Sequence, residues 1–176
     1  MKGSGPMDFL TLAHERYSCR RFADTPVEQE KIDKIIEAAV AAPTAVNYQP
    51  FKIWIIQKAE DIEKIAQTTP YTFEAPMVFA VGGKVDEAWV RKYDGKNFVD
   101  VDASVVATHM MLEIHDLGLG TTWVGSFDED KLKDFFPVMN GYNIVALFPT
   151  GYPADTAHPS RLHTTRKDSE VLVEVL

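Results

Sequence analysis

One cysteine, Cys19, is all that this chain of 176 residues carries. A lone thiol permits no intramolecular disulfide and no cysteine-built metal site, and it suits a reducing compartment, so a cytoplasmic location is expected. Positive charge is scarce: 18 Lys and Arg face 26 Asp and Glu, a net charge of −8. Nucleic acid and anionic membrane surfaces both demand an extended basic face, so neither is expected as the main partner. A local basic cluster could still hold one small anion. No apolar run approaches the ~20 residues of a membrane span, and no signal peptide precedes the first helix. Metal-binding spacings are missing as well. His109 and His115 do not share a helix face squarely, and no HExxH occurs. Asp94, Asp100 and Asp102 lack the spacing and the closing glutamate of a calcium loop. A nucleophile elbow of the Gly-x-Ser-x-Gly type is absent, and Cys19 has no histidine beside it, which leaves hydrolase chemistry without a carrier.

What is present is an ordinary soluble composition, 45% hydrophobic and 25% charged. A chain of this length fits one domain that buries roughly two-thirds of its unfolded surface. That domain is expected over residues 7–176. Met1 to Pro6 is rich in Gly and Ser and reads as an unstructured start or a cloning scar, with Met7 the native start.

Helices and strands alternate along the sequence. Met7 to Glu15 carries Phe9, Leu10, Leu12 and Ala13, a short amphipathic helix. Thr25 as N-cap, Pro26 at the first position and Glu28 closing a capping box predict the next helix start. Ile32, Ile35, Ile36, Ala39 and Val40 then form one apolar stripe, ended by Ala42-Pro43. Phe51 to Gln57 is a strand with apolar residues on both faces, which implies helices above and below it. Asp61 to Gln67 is a short helix, and Met77 to Val81 a buried strand stopped by Gly82-Gly83. Asp100 to Leu117 is the longest helix, apolar over a broad arc, with Gly118 as its stop. Thr121 to Val124 and Ile144 to Phe148 are strands flanking a helix from Asp128 to Phe135. Val171 to Leu176 alternates apolar and acidic residues like a strand after a long irregular stretch. The fold class is α+β, a mostly antiparallel sheet wrapped by helices.

Three segments could carry chemistry. Arg16, Arg20 and Arg21 fall within six positions around Ser18, and guanidinium forks match phosphate oxygens in pairs. Taken alone, the cluster fits a solvated patch with carboxylate partners equally well. Pro43 to Pro50 is a polar loop between an apolar helix and a buried strand, a usual place for ligand contacts, though taken alone it fits a plain connection rich in turn formers better. Gly118 to Gly125 begins like a dinucleotide fingerprint but lacks the final glycine, and a helix precedes it where a strand should. Trp123 is followed by Val124-Gly125-Ser126, a small segment suited to close backbone approach.

Together these segments resemble the nitroreductase family. The likeness runs through Arg16-Tyr17-Ser18-Cys19-Arg20-Arg21-Phe22, the run from Ala42 to Phe51, Gly118 to Gly125, Gly151-Tyr152-Pro153, and the basic pair Arg166-Lys167. The resemblance implies a homodimer with two FMN sites at the subunit interface and a C-terminal strand exchanged between subunits. Arg16, Ser18 and Arg20, with Arg166, would clamp the FMN phosphate and ribityl chain, Tyr17 contributing mainly backbone; Arg161 and Lys167 stand close to Arg166 in sequence. Pro43, Thr44, Ala45 and Asn47 would reach the flavin from the partner subunit. Trp123, Val124 and Gly125 would pack on the ring, the Gly125 amide donating toward flavin N5. Many members place Asn and Lys near the pyrimidine, where this chain has Gln67 and Thr68, then Tyr71. The implied activity is ping-pong electron transfer from NAD(P)H to an electron-poor acceptor such as a nitroaromatic or quinone, with no catalytic side chain required. A same-fold flavoenzyme with another reaction, such as enone reduction, and a non-enzymatic flavin-binding module are the alternatives.

Overall fold

The computed structural model describes residues 8–176; the expected start segment, Met1 to Pro6, and Met7 lie outside them. Four strands form one sheet: β1 (Phe51–Ile56), β2 (Met77–Lys84), β3 (Gly120–Thr121) and β4 (Tyr142–Gly151). Their order is β1-β2-β4-β3, and every neighbouring pair is antiparallel. The helices are α1 (Phe9–Glu15), α2 (Gln29–Val40), α3 (Ala59–Ala66), α4 (Val99–Asp116), α5 (Glu129–Phe135) and α6 (Ser169–Leu172).

The sheet is covered on both faces, as the two-sided apolar strands require. Met77, Phe79 and Val81 of β2 and Ala146 and Phe148 of β4 pack with α2 and α4. The alternate residues Val78, Ala80, Ile144 and Leu147 pack with Ile65 of α3 and Leu132 of α5 on the other face. Phe79 and Phe148 are fully buried, and such side chains contribute roughly 1.5–3 kcal/mol each. Ala103, Val106, Ala107, Met110 and Ile114 of α4 are all buried, which is why its apolar arc is broad. Gly118 ends that helix with φ +74°, a conformation glycine adopts without penalty.

Several expectations need correction. Helix α2 starts at Gln29, with Glu28 rather than Thr25 at the cap position. The Glu28 carboxylate does not close a capping box because it accepts the Tyr152 hydroxyl at 2.7 Å, and Val27 is drawn into the core. Val40, placed on the apolar stripe, is 58% exposed. Gly82-Gly83 does not stop β2, which continues to Lys84 through a bulge between Val81 and Gly82. Those glycines answer to packing. A Cβ on Gly82 would stand 2.5 Å from the Asn143 carbonyl oxygen, and one on Gly83 would stand 2.4 Å from Val99 Cγ2. Strand β3 is Gly120–Thr121 and so keeps only Thr121 of the expected Thr121 to Val124, because the chain leaves the ladder at Thr122 and touches β4 again only at Val124. The tail is not a strand in this chain. Ser169–Leu172 forms one helical turn, and Val171, Val173 and Val175 lie exposed and are not part of the sheet of their own chain.

Candidate functional site

The segment Arg16 to Arg21 is pinned along β3. Ser18 forms a parallel bridge with Thr121, and the Cys19 amide donates to the Thr121 carbonyl at 2.9 Å. Cys19 is fully buried. It fits there because residue 120 is glycine: a Cβ on Gly120 would lie 2.8 Å from Cys19 Sγ. Burying Cys19 sends its neighbours Ser18 and Arg20 outward, as alternation along extended chain dictates.

The segment forms one wall of a cavity of about 240 Å³, with Arg16, Tyr17, Ser18 and Arg20 on one side and Ser160, Leu162, His163 and Arg166 on the other. Residues 16–20 and 160–166 therefore meet here. No carboxylate lines this cavity. Arg16 is half-buried, and its guanidinium is made less basic first by burial and then by Arg166. Two cations held together against solvation favour an anion between them. The His115 imidazole, on the last turn of α4, is pushed below its usual value by burial first, then by Arg16, with His163 adding a smaller push. The Tyr17 ring stands edge-on to His163 at 6.4 Å, and its hydroxyl is pushed up by burial and then by Cys19. Of the three late cations, Arg166 lines the cavity and Arg161 and Lys167 do not.

Arg20 also borders a second cavity of about 220 Å³, lined by Tyr71, Phe73, Thr122, Trp123, Val124, Gly125 and Ser126. Val124 is held by paired backbone hydrogen bonds with Leu147, each 2.9 Å, and is buried against the core. Trp123 is more open, its ring edge-on to Phe148 at 5.1 Å. A Cβ built on Gly125 would have only Trp123 Nε1 near it, at 3.9 Å, and Gly125 is not a positive-φ position. Neither backbone conformation nor protein packing explains glycine there. The Thr69 hydroxyl donates to the Ser126 carbonyl at 2.7 Å and so ties the Pro70–Phe73 turn to this rim.

Other sequence candidates lie apart. Gln67 is exposed at the end of α3 and lines neither cavity, while the buried Thr68 hydroxyl donates to the Ile65 carbonyl at 2.8 Å. Tyr71 and Phe73 occupy the rim where Gln67 was expected. Pro43, Thr44, Ala45 and Asn47 sit on the loop between α2 and β1, with a 3-10 turn at Ala45–Asn47, and line neither cavity of their own chain. The sequence reading did not find Phe73, Ser160, Leu162 or His163. A cue existed for Phe73 alone: the crowded Pro70-to-Pro76 turn, where Phe73 and Glu74 take φ of +53° and +56°.

Among the described residues no cluster of His, Cys, Asp or Glu is arranged to hold a metal ion, and no helix is long and apolar enough to cross a membrane. Comparison with known proteins gives a consistent picture. The model of the nitroreductase family matches residues 13–71 and 67–152. A protein from Methanothermobacter thermautotrophicus, provisionally named NADH dehydrogenase/NAD(P)H nitroreductase, is 30% identical, with 89% of this chain and 86% of that protein covered. An FMN reductase [NAD(P)H] of Bacillus subtilis is 28% identical over 62% of this chain and 50% of its own length. The crystal structure of a nitroreductase family protein from Clostridium difficile 630 superposes with a TM-score of 0.89 at 36% identity, covering 96% of this chain and 98% of that one.

Proposed function

The chain belongs to the nitroreductase family, and from that premise we propose that it is an NAD(P)H-dependent, FMN-holding oxidoreductase that works as a homodimer. The observation that carries this reading is the pair of adjoining cavities joined at Arg20, one lined by Arg16 and Arg166 and the other by Trp123, Gly125, Tyr71 and Phe73. A flavin mononucleotide needs that combination: donors for a dianionic phosphate, then a shelf that a ring system can approach. Arg16, Ser18, Arg20 and Arg166 would hold the phosphate and ribityl oxygens. Trp123 and Gly125 would face the ring, and the Gly125 amide would donate toward N5.

When bound, the flavin supplies the redox chemistry, taking a hydride at N5 and passing electrons to an acceptor. The chain's own residues bind and orient. The arginines neutralise the phosphate, Trp123 bounds the ring's surroundings, and the Tyr71–Phe73 turn closes one side of the rim. No side chain has to act as acid, base or nucleophile. Donor and acceptor would use the same open face in turn, a ping-pong scheme, with a nitroaromatic or quinone as acceptor class. A second subunit would give Pro43, Thr44, Ala45 and Asn47 their place, since they line neither of the two cavities of their own chain. The exposed Val46 and Tyr48 beside them, and the exposed Val171, Leu172, Val173, Val175 and Leu176 of the tail, support burial against a second copy.

The test is reconstitution. Protein mixed with FMN and desalted should stay yellow, and NADH or NADPH should bleach it without oxygen. A nitroaromatic or quinone should then restore the colour. Protein that retains FMN but is not bleached would be a flavin-binding module, and protein that cannot retain FMN would end the proposal.

A further inference from the structure

Asp102 lies in the first turn of α4 and is 3% exposed. Its Oδ1 accepts the Ala45 amide at 2.8 Å, and its Oδ2 is buried with no partner among the described residues. A carboxylate half-satisfied in the interior costs stability, offset only in part by the positive end of the helix dipole. Asparagine would make the same single bond without the charge. Asp102 is therefore poorly explained by folding alone, and what it holds supplies a reason.

It holds a strained loop. Val46, Asn47 and Gln49 have φ of +51°, +58° and +52°, in a region that side-chain-bearing residues rarely adopt. For β-branched Val46 this is a true outlier, which persists only where the surroundings impose it. Within the loop the Gln49 amide donates to Thr44 Oγ1 at 3.0 Å and the Asn47 amide to the Thr44 carbonyl at 3.0 Å. Among the described residues, the bond from Ala45 to Asp102 is the one hydrogen bond that ties residues 44–49 to another element.

We infer that Asp102 is a positioning residue: through the Ala45 amide it sets the loop that carries Thr44, Ala45 and Asn47 toward the flavin ring. The role of the loop rests on the proposed function; the pinning does not. Two measurements separate them. Hydrogen exchange of the Ala45 amide, on flavin-free protein, reads the pinning. Titration with FMN and with riboflavin reads its consequence.

In Asp102→Ala the Ala45 amide should exchange about tenfold faster or more, the scale of one lost buried hydrogen bond. FMN and riboflavin should both bind more weakly, by a similar factor, because the loop serves the ring and not the phosphate. Asp102→Asn keeps an acceptor and should restore both readouts. It should also melt no lower than wild type, since it removes an unpaired buried charge. Unchanged Ala45 exchange in Asp102→Ala would overturn the pinning. Faster exchange with unaltered affinity for both flavins would overturn the positioning role, as would failure of Asn to rescue. Should Asp102→Ala not fold, Asp102→Ser, which shortens the acceptor arm to the Ala45 amide, must speed Ala45 exchange and weaken both flavins alike for the inference to stand. Wild type that binds neither flavin would defeat the proposed function, while the exchange comparison would still decide whether Asp102 pins the loop.

Discussion

Replacing Arg16 with alanine separates a phosphate site from a surface patch. Arg16 is half-buried beside Arg166 in a cavity without carboxylates, so in the empty protein the two guanidinium groups repel one another. Removing one relieves that repulsion, and the flavin-free variant should be no less stable than wild type. The loss should appear only with the anion. A hydrogen bond to a charged group contributes about 1.5–3 kcal/mol, which weakens FMN by roughly one to two decades at about 1.4 kcal/mol per decade. Arg20 is exposed and donates to the Ser18 carbonyl at 3.3 Å, so Arg20→Ala belongs at the lower end of that range. The Arg21 guanidinium is turned to the Thr156 carbonyl at 3.2 Å and does not line this cavity. Its removal should cost no more than about threefold, the scale of an exposed charge. The assay is quenching of flavin fluorescence at fixed ionic strength, with FMN and riboflavin titrated side by side. Arg16→Ala should lower FMN affinity and leave riboflavin untouched. Wild type that binds the two flavins equally, or a variant that weakens both alike, would refute a phosphate clamp.

Three further outcomes are expected. Gly125→Val should fold and melt like wild type, since its Cβ meets only Trp123 Nε1 at 3.9 Å, yet slow single-turnover flavin reduction by about one to two decades through misplacement of the ring; normal reduction with FMN retained removes Gly125 from the site. His115 has its folded value below the ordinary 6.5, from burial first and Arg16 second, so the unfolded chain binds the extra proton and stability present above pH 6.5 should fall as the pH drops through that value toward the folded one. Urea midpoints between neutral and mildly acidic pH should therefore slope less in His115→Gln than in wild type, and parallel slopes would contradict the shift. Truncation after Pro159 removes Ser160, His163 and Arg166 together with the exposed apolar tail; light scattering should find monomer or aggregate without FMN, and a stable dimer still carrying FMN would show the tail to be dispensable.

The parts of the fold that were legible are those where periodicity and burial agree. The arc on α4 and the two-sided apolar strands β1 and β2 specified a covered sheet, because such residues have nowhere else to go. Misreadings arose where a local signal met a tertiary competitor. Thr25-Pro26 looks like a helix start, but Tyr152, far along the chain, claims the Glu28 carboxylate and α2 begins later. Gly82-Gly83 looks like a stop, yet both glycines serve close approach, one to Asn143 and the other to Val99. The tail alternates like a strand, and alternation cannot say what the strand would pair with. In the site, the arginine cluster was legible because it is contiguous and oddly basic for an acidic chain. His163 and Phe73 were not, since their proximity to Arg16 and Trp123 is made entirely by chain reversals.

The glycines show how function can be separated from architecture in this molecule. Gly120 admits Cys19 and Gly151 admits Pro76, whose Cδ would stand 2.7 Å from a Cβ on Gly151. Gly118 is required by its backbone conformation. Each of these is accounted for by the protein itself. Gly125 has neither reason: its backbone does not call for glycine, and the space beside it is open except for one indole nitrogen. It also stands on the rim of the cavity that Arg20 shares with the cationic site. Under the proposed function, residue 125 is small for the sake of a ligand outside the fold, and the adjoining cations would meet negative charge on that ligand. A flat ring joined to a phosphate meets both conditions, and a phosphate alone would leave Gly125 without a purpose.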